Sequence, residues 1–175
     1  TPWRTVLIGE TPGALADSRI ELNLNEPSKI PDIQKWFTPG KYVGVWWEMH
    51  LDKTTWGSGM RHGATTANVE RYIDFAAKYG FSGVLVEGWN LGWDGDWITN
   101  GDKFSFTKPY ADFDIAAITA YAKSKGVQLI GHNETGGGVV NYENQLDDAM
   151  KFYASYGVHA VKTGYALVLG TAALV

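Results

Sequence analysis

Apolar and polar positions along this chain alternate between two periods. The run Lys-Tyr-Val-Gly-Val-Trp-Trp over 41–47, following Pro39-Gly40, has the β-branched and aromatic character of a strand. After a Gly-rich polar stretch, Val69, Tyr72, Ile73 and Ala76 recur at i, i+3, i+4 and i+7. That spacing predicts a helix over 65–80, stopped by Gly80. Residues 83–87 read as a buried strand. A long loop over 88–110 then leads to Asp112, a candidate N-cap, and to a stripe of Ile115, Ile118, Thr119 and Ala122 closed by Gly126. A third strand is predicted over 127–131. A third helix from Tyr142 carries Leu146, Ala149, Met150 and Tyr153, and a fourth strand covers 159–162. Residues 1–40 differ, with short extended runs at Thr5–Ile8 and Arg19–Asn23 around the turn Thr11-Pro-Gly13. They read as a linker or the end of a preceding β domain.

Strands that alternate with helices, joined by connections long enough for parallel pairing, make an α/β fold. An open doubly wound sheet and a TIM-type (β/α)₈ barrel both fit. No G-x-G-x-x-G or Walker-type glycine loop follows a strand. The strands instead run out into Glu48, Glu87, Glu134, and then Lys162 and Tyr165, the way a barrel builds a site at its C-terminal face. The expected architecture is therefore parallel (β/α) units over 41–175 forming about half of a barrel, preceded by a short β or linker segment.

Composition adds one substrate class. Aromatics make up 14% of the chain, with 8 Trp and 9 Tyr, and the net charge is −4. Sugar rings stack on aromatic faces, so a Trp-rich acidic chain points to carbohydrate, although the same residues also suit a core. The charge offers no basic footprint for nucleic acid or a membrane surface, and no run approaches the roughly 20 apolar residues of a bilayer span. The start, Thr1-Pro-Trp-Arg, reads as a processed or excised end.

The candidate chemistry sits at strand ends. His132 and Glu134, two residues apart, share one face of an extended segment. The glycines at 136–138 are expected to leave room for substrate. A carboxylate there can act as base or nucleophile in glycoside hydrolysis, or the two side chains can be a structural pair. Glu87 is flanked by Trp89 and Asn90, which offer a stacking face and a hydroxyl ligand; its structural alternative is a salt bridge to Lys162. Glu48 beside Trp46 and Trp47 is a weaker case of the same kind. Lys162 also allows a Schiff-base lyase or aldolase reading. His50, His62, His132 and His159 lack zinc spacing, and Asp94-Gly-Asp96 lacks the rest of a calcium loop.

The stretches over 44–49, 71–77, 84–90, 109–114, 132–135 and 161–165 together resemble glycoside hydrolase family 97. Leu22–Ser28 resembles the segment joining that family's N-terminal β-sandwich to its barrel. The resemblance implies an exo-acting α-glucosidase or α-galactosidase with a calcium-dependent barrel, acting on α-linked oligosaccharides and periplasmic or secreted. It implies Glu134 as general base, His132 and Glu87 as substrate contacts, and inversion, since the Asp nucleophile of the retaining branch has no counterpart at Lys162-Thr-Gly164. The family's general acid and most calcium ligands fall later than residue 175. The chain therefore reads as a fragment needing the remaining half-barrel or self-association. The rival reading is a non-catalytic half-barrel that serves as an association or sugar-binding module.

Overall fold

A computed structural model of the chain describes residues 4–24, 26–27 and 29–164. It divides into two compact units, one through Pro39 and one from Gly40. Among its described residues the first holds three short helices, α1 (Pro12–Ala16), α2 (Ile20–Asn23) and α3 (Ile33–Trp36). Thr11 caps α1 by accepting from the Ala14 N–H at 3.2 Å, and Pro12 suits the first helical position. This corrects the extended runs expected here. Ile20–Asn23 is a helical turn, and Thr5–Ile8 pairs with no strand among the described residues. Val6 and Ile8 stay exposed, so the run lacks the ladder partner and the buried face that alternation needs in order to become a strand.

Among its described residues the second unit contains four strands, β1 (Tyr42–Val45), β2 (Gly83–Val86), β3 (Gln128–Glu134) and β4 (Val161–Gly164). Its helices are α4 (Trp47–His50), α5 (Thr66–Tyr79), α6 (Ile115–Ser124) and α7 (Val139–Ser155). All strand pairs are parallel and their order follows the chain, β1-β2-β3-β4. A doubly wound sheet reverses its order at a switch point; an unreversed order is that of a barrel wall. The unit is about half of a TIM-type barrel.

Two of the helices are delimited by caps of their own sequence. Thr65 caps α5 through the Asn68 N–H, and Gly80 ends it in the left-handed region at φ 72°. Asp114, not Asp112, caps α6 by accepting from Ala117 N–H at 3.0 Å. Val69, Ile73 and Ala76 of α5 and Ile118 and Ala122 of α6 bury against Val84, Val86 and Leu129. On α7, Ala149 and Tyr153 are buried while Leu146 and Met150 keep more than a third of their surface exposed. The strand-end predictions shift. β1 stops at Val45 because the chain turns into α4, whereas β3 runs three residues further than expected and takes in His132, Asn133 and Glu134.

The glycines after β3 have a different use from the one expected. A Cβ on Gly138 would collide with the backbone of Gly101, and one on Gly136 would lie 2.7 Å from the Trp97 carbonyl oxygen. The loop after β2 thus lies backbone against backbone on the loop after β3. Asn141 Nδ2 fastens it by donating to the carbonyls of Gly101 and Phe104, both at 2.9 Å. Since backbone cannot move aside as a side chain can, Gly138→Ala should lower stability by about 1–3 kcal/mol. Urea unfolding checks this, and an unchanged midpoint contradicts the packing.

Candidate active site

Along β3 alternate residues face opposite ways. Gly131 faces the helices, where a Cβ would meet the Tyr153 ring at 2.6 Å. Asn133 does so too, accepting from Tyr153 Oη at 3.2 Å. His132 and Glu134 therefore point to the opposite, inner face. The register sets His132 beside Lys162 and Glu134 beside Gly164. Glu87 follows β2 directly, its N–H continuing the ladder to the Val45 carbonyl at 3.2 Å. Any side chain at Gly164 would occupy the space of the Glu134 carboxylate, and any at Gly44 the space of the Trp46 ring.

These groups enclose a hollow of about 380 Å³ bounded by Trp46, His50, Trp56, Glu87, Glu134 and Lys162, within the usual size range of a small-molecule site. Glu87 accepts from Trp56 Nε1 at 2.9 Å and from Lys162 Nζ at 3.2 Å, and His132 Nε2 lies 3.7 Å away. The Lys162 ammonium also sits 5.5 Å from the Trp46 ring centre. Glu134 accepts from the Gly136 N–H at 2.9 Å. Burial raises its carboxyl above the ordinary value, opposed by the Gly136 and Thr135 N–H groups, while the Glu87 charge adds to the rise. His132 is 1% exposed, and neither ring nitrogen has a hydrogen-bond partner among the described residues. Burial pushes it down to about 4, against the Glu87 charge and with that of Lys162. A neutral imidazole with unpaired nitrogens is unusual inside a protein; here both nitrogens are closed to solvent, behind the lining of the hollow.

The sequence-derived set divides in two. Glu87, His132, Glu134 and Lys162 come together; Glu48, Trp89 and Asn90 do not join them. Glu48 lies on α4, not at a strand end, and accepts from Asn68 Nδ2 at 2.6 Å. Trp89 turns into the helix layer, 2% exposed, ringed by Phe113, Phe152 and Tyr153. Its Nε1 donates to the His132 carbonyl at 2.8 Å, so no ring face is open to a sugar. Asn90 staples its own loop, donating to the Ser105 carbonyl at 2.8 Å and accepting from Trp93 Nε1 at 3.1 Å. Tyr165 lies outside the described residues. Sequence reasoning missed Trp56, which donates to Glu87; it sits in the Gly-rich stretch taken as a plain loop, and its one signal is a Trp between polar and glycine residues. Trp93, 2% exposed, stacks on Trp56 at 6.3 Å and on His132 at 6.1 Å, backing the hollow from behind.

Among the described residues no three His, Asp or Glu side chains converge on a point where a metal could sit. The carboxylates that do face inward are engaged, Glu87 by Trp56 and Lys162 and Glu134 by a backbone N–H. These residues alone do not make a calcium cradle.

Two outcomes follow from the burial. Because the folded state holds His132 near 4 against an ordinary 6.5, the unfolded chain binds more protons between these values. His132 then contributes stability that is present above pH about 6.5 and lost as pH falls toward 4. The stability difference between wild type and His132→Gln should shrink across that window in urea titrations; a pH-independent difference contradicts the assignment. Trp89→Ala should cost about 3–5 kcal/mol as a core truncation. Unchanged stability with weakened sugar binding would return Trp89 to the site.

The family model for glycoside hydrolase 97 matches residues 46–169. A curated relative, "Retaining alpha-galactosidase" of Bacteroides thetaiotaomicron, is 27% identical over 94% of this chain and 22% of its own length. Two solved structures of a glycoside hydrolase family 97 enzyme from Pseudoalteromonas sp. strain K8, one in complex with acarbose and one a variant in complex with panose, are 62% identical. Each superposes with a TM-score of 0.85 over 90% of this chain and 24% of its own. The chain thus spans about a quarter of the length of these relatives.

Proposed function

The chain belongs to glycoside hydrolase family 97, and from that premise we propose that it supplies the terminal-sugar side of a site hydrolysing terminal α-linked glucose or galactose with inversion. The observation that carries the reading is the inward Glu134 carboxylate, made more basic by burial and set opposite a glycine. A carboxyl raised toward the working pH is better suited to take a proton from water as that water attacks the anomeric carbon. Inversion draws support from β4, whose inward positions are Lys162 and Gly164, neither able to act as the carboxylate nucleophile of a retaining enzyme.

Glu87, tied to Lys162 and Trp56, serves as an acceptor for sugar hydroxyls. His132 lies behind Glu87, its Nε2 3.7 Å from that carboxylate and both nitrogens closed to solvent, and the partly exposed Trp46 and Trp56 offer ring faces. Panose, a trisaccharide of α-linked glucose, binds to a relative 62% identical, whereas the galactosidase relative is 27% identical; this favours glucose. The departing oxygen requires an acid, which we assign to the intact enzyme beyond the described residues, together with the calcium ligands. Secretion or periplasmic placement and pairing with a further half-barrel belong to the same proposal.

In the intact enzyme, Glu134→Gln should lower kcat on an α-glucoside by about 10²–10⁴-fold, and proton NMR of the first-formed wild-type sugar should show the β-anomer. Near-normal turnover of the variant, or an α-anomer product, would remove the assigned role. Sugar binding by this chain with no hydrolysis in any intact form would favour the non-catalytic module instead.

A further inference from the structure

His62 lies outside the hollow, in the loop between α4 and α5, with its side chain fully buried. Its Nδ1 is 2.9 and 2.8 Å from the two carboxylate oxygens of Asp112, and its Nε2 is 2.9 Å from the Gly88 carbonyl oxygen. A carboxylate and a carbonyl only accept hydrogen bonds, so each ring nitrogen has to donate. A neutral imidazole carries one N–H, and both bonds are made together only by the imidazolium. The charged and titratable groups facing it are consistent with a cation. Asp112 and Tyr110 come from the segment before α6, the Tyr110 ring edge-on at 5.1 Å. Asp94 comes from the loop after β2; its carboxyl is lowered although burial acts to raise it, through hydrogen bonds from Ser58 and Tyr110 and the charge of His62.

The bond to Gly88 matters because of its neighbour. Gly88 takes φ 79°, and a Cβ on it would stand 2.8 Å from the Trp56 carbonyl oxygen. The peptide after Glu87 is therefore pressed against the backbone of Trp56, whose indole N–H holds the Glu87 carboxylate. Asp112 fixes the other end of the bridge, its carbonyl accepting from the Thr66 N–H at 2.8 Å at the start of α5.

We propose that His62 is a positioning residue: as an imidazolium it latches the segment before α6 to the Gly88 carbonyl and so sets the orientation of Glu87 in the hollow. The role for Glu87 rests on the function proposed above; the protonation and the relay do not. The first test is a long-range proton–nitrogen NMR spectrum of the ¹⁵N-labelled protein at neutral pH, with His62 assigned by its loss in His62→Gln. Protons on both ring nitrogens are expected, and an unprotonated nitrogen overturns the latch. In the same spectra His62→Gln and Asp112→Asn should each move the Trp56 indole N–H resonance, and a stationary resonance in both folded variants overturns the relay to Glu87. In the intact enzyme, Asp112→Asn should raise KM for an α-glucoside about tenfold with a smaller change in kcat, as expected on loosening one charge-assisted hydrogen bond. An unchanged KM overturns the positioning role while leaving the Glu134 reading intact.

Discussion

The register of β3 is the constraint from which the site follows. Side chains on a strand alternate with a period of two, so a slip of one residue would send His132 and Glu134 into the helix layer and Asn133 into the hollow. The register is read from the outer side. The Tyr153 ring fits only because residue 131 is glycine, and its hydroxyl accepts from the His132 N–H at 3.1 Å while donating toward the His132 carbonyl at 3.0 Å. Trp89 donates to that carbonyl as well. The backbone of His132 is clamped by the core while its side chain serves the opposite face, which joins packing to chemistry at one residue.

The inner face is costly to build. It gathers two carboxylates, an ammonium and an imidazole; Lys162 is about half exposed, but Glu87, Glu134 and His132 are largely buried, and unpaired charges in such places are disfavoured. Glu87 and Lys162 offset one another, Glu134 leans on a backbone N–H, and His132 stays neutral. On this face the imidazole nitrogens are left without hydrogen-bond partners among the described residues. Under the proposed function, the carboxylates and the ammonium of this face meet the hydroxyls of a sugar ring. The aromatic edges contributed by Trp46 and Trp56 suit the apolar faces of the same ring.

The alternation of elements was legible because each of the three long helices of the barrel unit carries its own stripe and stop, as in Val69, Ile73, Ala76 and Gly80; the one-turn α4 does not. The acidic residues expected at the ends of the first three strands pointed to a barrel, and the i, i+2 spacing of His132 and Glu134 put both on one face of an extended segment. What stayed hidden depends on contacts distant in sequence. Trp89 and Trp56 are both tryptophans beside glycine, yet one is core and the other holds Glu87 from 31 residues away; local pattern cannot separate them. Glu48 misled because the end of β1 depends on where the chain turns into α4. The glycines at 136–138 answer to Gly101, which no reading of their own neighbourhood reveals. The short runs before residue 40 showed alternation without a partner strand, and alternation alone did not make a sheet.

The most direct test is a crystal structure of the intact enzyme with an α-linked oligosaccharide inhibitor in place. The expected result is the terminal ring seated among Glu87, Lys162 and Trp56, with one ordered water between the Glu134 carboxylate and the anomeric carbon, on the side away from the departing oxygen. A ring bound elsewhere, or a Glu134 carboxylate turned toward α7 with no water between, would contradict the assignment.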